Sequence, residues 1–104
     1  MESYQGIKVY TSTDEEIVTM LETGEPKFII FVEDPKVLSK YFTKVSDTLS
    51  KLLSGYYNTE VKKENVFIIK TEKEVMEEVL MEELDKPPVG IFCPTPGQFY
   101  VITF

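Results

Sequence analysis

The stretch Phe28-Ile29-Ile30-Phe31-Val32-Glu33-Asp34-Pro35 decides how this chain is read. Five consecutive apolar residues, rich in β-branched and aromatic types, describe a strand buried on both faces, as in the middle of a sheet sandwiched by helices. Asp34 and Pro35 then open a helix. Asp accepts hydrogen bonds from the otherwise orphaned N–H groups at a helix start, and Pro tolerates the first helical position because it has no N–H to leave unpaired there. Downstream, Leu38, Tyr41, Phe42, Val45, Leu49, Leu52 and Leu53 recur at spacings of three and four, which predicts one long amphipathic helix over about five turns, ending near Gly55.

Outward from this centre the same logic repeats. Before it, Gly6 to Thr11 alternates Ile7 and Val9 with Lys8 and Tyr10, the pattern of an edge strand with one wet face. Ser12 with Glu15, or Thr13 with Glu16, offers a capping box for a short helix carrying Ile17, Val18, Met20 and Leu21, which stops at Gly24 and Pro26. After the centre, Tyr57 to Asn65 reads as a polar loop, and Val66 to Ile69 as a second strand apolar on both faces. Thr71 and Glu74 cap a helix whose inner face holds Val75, Val79, Leu80 and Leu84, closed by Lys86, Pro87 and Pro88. Two strands, Val89 to Cys93 and Phe99 to Phe104, flank the turn residues Pro94, Thr95, Pro96 and Gly97 and are expected to pair as an antiparallel hairpin.

Composition narrows the chemistry. The chain has 104 residues, 42% of them hydrophobic, enough for one α/β domain spanning 1–104 with a sizeable core. Its longest uninterrupted apolar run is far short of a membrane span, and no signal segment is visible, so a cytoplasmic location off the membrane is expected. Net charge is −7, and every basic residue is Lys. An acidic chain without the bidentate guanidinium fork is a poor nucleic-acid binder. His is absent, which removes the usual neutral-pH base, the imidazole metal ligand and every Ser-His or Cys-His pair. The single Cys93 forbids an internal disulfide and a C-x-x-C pair, and points to a reducing compartment. Abundant Glu and Lys beside sparse Gln and Asn resembles thermophile usage, a bias that an AT-rich genome would also give.

The order βαβαβαββ, with a long second helix and a proline-led closing hairpin, resembles the thioredoxin fold. The resemblance spans nearly the whole chain and rests on topology more than on motif. It implies a three-layer sandwich around a mixed five-stranded sheet in the order 1-3-2-4-5, and it makes Pro88 the counterpart of the family's cis-proline, facing the start of the second helix. Asp34, Pro35, Pro87 and Pro88 would then line a protein-binding groove. The departures are chemical. Where the family carries C-x-x-C, this chain reads Glu33, Asp34, Pro35, Lys36, Val37 and Leu38, so dithiol exchange has neither its attacking nor its resolving thiol. The family's last helix is also missing after the fifth strand.

Other polar clusters have plainer explanations. Asp14, Glu15, Glu33, Asp34 and Glu72 follow three strands expected to be parallel, where a Mg²⁺ ion could sit, but acidic residues in first helical turns already complement the macrodipole. Cys93, between Phe92 and Pro94, reads as a small core residue rather than a catalytic thiol. Lys62, Lys63 and Lys70 interleave with Glu60, Glu64 and Glu72 as a solvated mixed surface, and Tyr56 and Tyr57 are expected to pack the helix end rather than bind a ligand. No catalytic residue, metal site or cofactor is assigned.

The fifth strand breaks its own rule. Phe99, Val101 and Thr103 point one way and Tyr100, Ile102 and Phe104 the other, although an edge strand ought to keep one polar face. Both sides call for cover, and a second subunit meeting Phe99, Tyr100, Ile102 and Phe104 would supply it. The expected function is a non-catalytic interaction module that forms homodimers and binds a further protein. The alternatives are a carboxylate- and metal-dependent enzyme at the parallel-strand edge, and a redox protein acting through Cys93 alone.

Overall fold

A computed structural model describes residues 3–4, 6–11, 24–55, 59–72, 74, 88–95 and 98–104. Among them the chain forms β1 (Ser3–Tyr4), β2 (Ile7–Thr11), β3 (Lys27–Val32), a 3-10 helix (Pro35–Tyr41), α1 (Phe42–Leu53), a second 3-10 turn (Lys63–Asn65), β4 (Val66–Lys70), β5 (Val89–Cys93) and β6 (Tyr100–Thr103). The strands lie side by side as β1-β2-β4-β3-β5-β6. Leaving out the two-residue β1, the five longer strands stand in the order 1-3-2-4-5 that the resemblance implied. β2, β4 and β3 are parallel, and β5 and β6 complete the sheet antiparallel. The helices expected between β2 and β3 and between β4 and β5 fall largely outside the described residues.

β3 earns its central place. All six of its residues are buried. Because successive side chains point to opposite faces, Phe28, Ile30 and Val32 enter one core with Ile68, Leu38, Val45 and Leu52, while Ile29 and Phe31 enter a second with Tyr10, Phe67, Ile69 and Ile91. The first core lies under α1.

The helix start behaves as its sequence dictates. The Asp34 carboxylate accepts from the Lys36 amide at 3.0 Å, and Pro35 occupies the first turn. The long helix does not begin there as α-helix, however: Pro35–Tyr41 winds as 3-10, and α geometry starts at Phe42. At three residues per turn, Leu38 and Tyr41 stack on one face, and the change of pitch rotates Phe42 outward. Phe42 is 54% exposed and Leu53 also reaches solvent, so the inner stripe is Leu38, Tyr41, Val45, Leu49 and Leu52. Gly55, at φ +76°, ends the helix in the left-handed conformation that glycine adopts without a Cβ penalty.

The loop before β4 is less polar inside than its composition implies. Val61 is fully buried and its amide donates to the Leu52 carbonyl at 3.0 Å. Asn65 is buried too, and its side-chain nitrogen donates to Glu25 Oε2 at 2.7 Å, with Lys62 Nζ 3.8 Å from Oε1 of the same carboxylate. This clasp joins the residues that lead into the two central parallel strands. Asn65 and Lys62 together hold the Glu25 carboxyl below its ordinary pKa, by hydrogen bonding first and by charge second.

Two expectations about β2 are corrected. It is not the outermost strand, because Ser3 and Tyr4 pair with Lys8 and Ile7. Tyr10 is not on a wet face either: it is 6% exposed, set edge-on against Phe67 with ring centroids 6.1 Å apart. A tyrosine read as the polar half of an alternating strand is, in tertiary context, mostly apolar surface. Among the described residues no helix is long and apolar enough to cross a membrane.

Candidate functional site

Two places on the sheet merit attention, the corner where β3 turns into the 3-10 helix and the outer hairpin strand. At the corner, Glu33 and Asp34 are exposed and Pro35 is half-buried. Phe31 pairs with Val89, so Pro88, buried and one residue before β5, comes beside the end of β3. The sheet register therefore brings Pro88 to the same end as Asp34 and Pro35, three of the four groove residues expected from the sequence. Pro87 lies outside the described residues. The Thr71 amide donates to the Val32 carbonyl at 2.9 Å, which carries the backbone bonding past the end of β4 and fixes the corner from its other side.

The chain's single cysteine does not reach this corner. Cys93 pairs with Lys27, at the opposite end of β3 and five residues along β5 from Pro88, roughly 16 Å at the rise of a strand. Partial burial pushes its thiol pKa up, against the weaker opposing pull of Lys27, so the reactive thiolate is disfavoured. Lys27 itself is only 4% exposed, and its Nζ donates to the Glu25 carbonyl at 2.7 Å. Nor do carboxylates gather: among the described residues no group of three or more potential ligands is placed to hold a metal ion. Asp14 and Glu15 lie outside the described residues.

The hairpin strand β6 is different in kind. It pairs on one side with β5, from Phe92 opposite Tyr100 to Val89 opposite Thr103, and ends the sheet on the other. Gly90 explains how it is seated. A Cβ there would come within 2.7 Å of the Phe28 ring and 3.2 Å of the Phe104 ring. The missing side chain lets Phe28 lie over the backbone and meet Phe104 edge-on, with centroids 6.5 Å apart. Ile102 and Phe104 are thereby half-buried against the chain's own core. Tyr100, tilted beside Phe92, is still 57% exposed, Phe99 is 53% exposed and Val101 is 38% exposed.

The four interface residues expected from the sequence thus divide. Phe99 and Tyr100 are available, while Ile102 and Phe104 are largely engaged internally. Val101, which the sequence reading did not select, joins the accessible set. Its signal was present in the strand parity: if Tyr100, Ile102 and Phe104 face α1, then Val101 faces the opposite way. The expected cover over that side is not provided among the described residues.

Charge sharpens the contrast. All 29 charged side chains, 11 Lys and 18 Asp or Glu, fall within residues 2–86, and residues 87–104 carry none. The opposite edge has shallow depressions of about 450 and 380 Å³ on either side of Lys63, one beside Gly6 and Tyr10 and the other beside Leu49 and Leu53. No protein-family model, curated protein or solved structure matches this chain.

Proposed function

We propose that this chain is a non-catalytic interaction module of thioredoxin-like build, which forms homodimers and binds a further protein at the corner between Asp34, Pro35 and Pro88. The strand order and the proline-led hairpin support the thioredoxin-like reading, and the absence of a thiol from the corner removes the chemistry that such a scaffold carries elsewhere. The observation that carries the interaction reading is the outer strand. An uncharged edge with exposed Phe99, Tyr100 and Val101 offers backbone hydrogen bonds and apolar area together, which lone surface strands avoid.

Sedimentation equilibrium from low to high micromolar protein tests it. The expected result is a reversible monomer–dimer transition, weakened by at least about tenfold in Tyr100→Glu, because the charge must be buried without a partner. A monomer at every concentration removes the homodimer reading. Reduction of insulin by the wild type but not by Cys93→Ser would remove the non-catalytic one.

A further inference from the structure

We infer that β6 pairs with β6 of a second copy, antiparallel about a twofold axis at Val101, so that two sheets join into one. This rests on the homodimer reading above and gives it a geometry.

β6 is the outermost strand, so one row of its backbone N–H and C=O groups has no ladder partner among the described residues. Edges that stay single carry a Lys, a Pro or a bulge. From Phe99 to Phe104 there is neither charge nor proline. The same neutrality selects the occupant. Each copy carries a net charge of −7, so two copies repel over most of their surface, and residues 87–104 are where they approach without bringing like charges together. A basic partner would gain nothing at this strand and would settle on the acidic remainder of the chain.

Symmetry then restricts the register. Residues directly opposite in an antiparallel pair share a face, so a twofold axis normal to the sheet must pass through a residue paired with itself. An axis at Val101 sets Tyr100 opposite Ile102 and Phe99 opposite Thr103 of the second copy. The exposed Tyr100 ring gains an apolar neighbour on the α1 side, and the two Val101 side chains meet on the other. An axis at Ile102 would instead centre the pair on a side chain already engaged with the chain's own core.

Cysteine cross-linking reads the axis directly. In a Cys93→Ser background, Val101→Cys places two thiols opposite each other with Cα atoms about 4.5–5.5 Å apart, within disulfide reach, whereas Tyr100→Cys sets like residues beyond the roughly 7 Å limit. Under mild oxidation, Val101→Cys is expected to form covalent dimer at least about tenfold faster than Tyr100→Cys or the helix-face control Lys40→Cys, a margin set by the same geometric limit. Circular dichroism confirms that each variant is folded. If Cys93→Ser protein sediments as a dimer but Val101→Cys links no faster than the controls, the strand pairing is overturned and the homodimer reading stands. Faster linking through Ile102→Cys overturns the axis. Absence of both dimer and cross-link overturns the two readings together.

Discussion

At one edge of the sheet, β2 is covered by the two-residue β1, Lys8 lies over the Tyr10 ring at 4.6 Å, and Lys63 stands 3.6 Å from where a Gly6 Cβ would be. At the other, β6 presents Phe99, Tyr100 and Val101 to solvent with no charge within reach in sequence. Short strands and lysines are the usual devices that stop an edge from recruiting another chain. The protein uses them at one border and omits them at the other, although both strands rest on the core under α1. The difference teaches that openness at β6 is a property of that border rather than a general looseness of the sheet.

Four measurements bear on that contrast. Gly90→Ala should have the largest effect. A methyl group 2.7 Å from the fully buried Phe28 ring forces the ring or the hairpin to move, at a cost of about 2 kcal/mol, seen as a lower denaturation midpoint. A stability within error of the wild type would mean that β6 is not seated through Phe28 and Phe104. Next comes salt: if two acidic copies meet across a neutral strand, raising ionic strength screens their mutual repulsion and should tighten association by about threefold. Weakening by salt would point instead to an interface held by ion pairs.

At the opposite edge, Lys8→Ala removes a cation over the buried Tyr10 ring. About 0.5 kcal/mol of stability should be lost while sedimentation stays as in the wild type, because β1 still covers that strand. New association in this variant would show that lysine alone guards the edge. The smallest effect concerns Glu25. Its folded pKa lies below the ordinary 4.5, so its contribution is fully present above that value and is lost as pH falls through the lowered one. Glu25→Gln should lower stability slightly at neutral pH and flatten the acid limb of a stability–pH curve below about pH 4.5, so that the two curves converge at low pH. An unchanged acid limb would remove the clasp with Asn65 and Lys62 from the account.

Much of the fold was legible because its signals are local. Phe28 to Val32 is a buried strand by composition alone, Asp34-Pro35 starts a helix because of one acceptor and one absent N–H, and Pro94 to Gly97 forces a reversal. Runs apolar on both faces marked the central strands, and the resemblance to the thioredoxin fold implied their order. Other features were not local. Whether the residues after Asp34 wind as α or 3-10 depends on where Leu38 and Tyr41 meet the sheet, and Phe42 moved outward with that choice. Val61 and Asn65 look like loop residues until β4 and Glu25 are placed beside them.

The candidate surface divides the same way. From sequence, the single thiol and the want of histidine and arginine follow directly, and so does the apolar character of Phe99 to Phe104. Only packing decides which of those residues remain available. Gly90 opens a slot that draws Phe28 and Phe104 together and turns Ile102 inward with them, leaving Phe99, Tyr100 and Val101 outside. Residue type is a property of each position alone, whereas burial depends on what the rest of the chain brings to it.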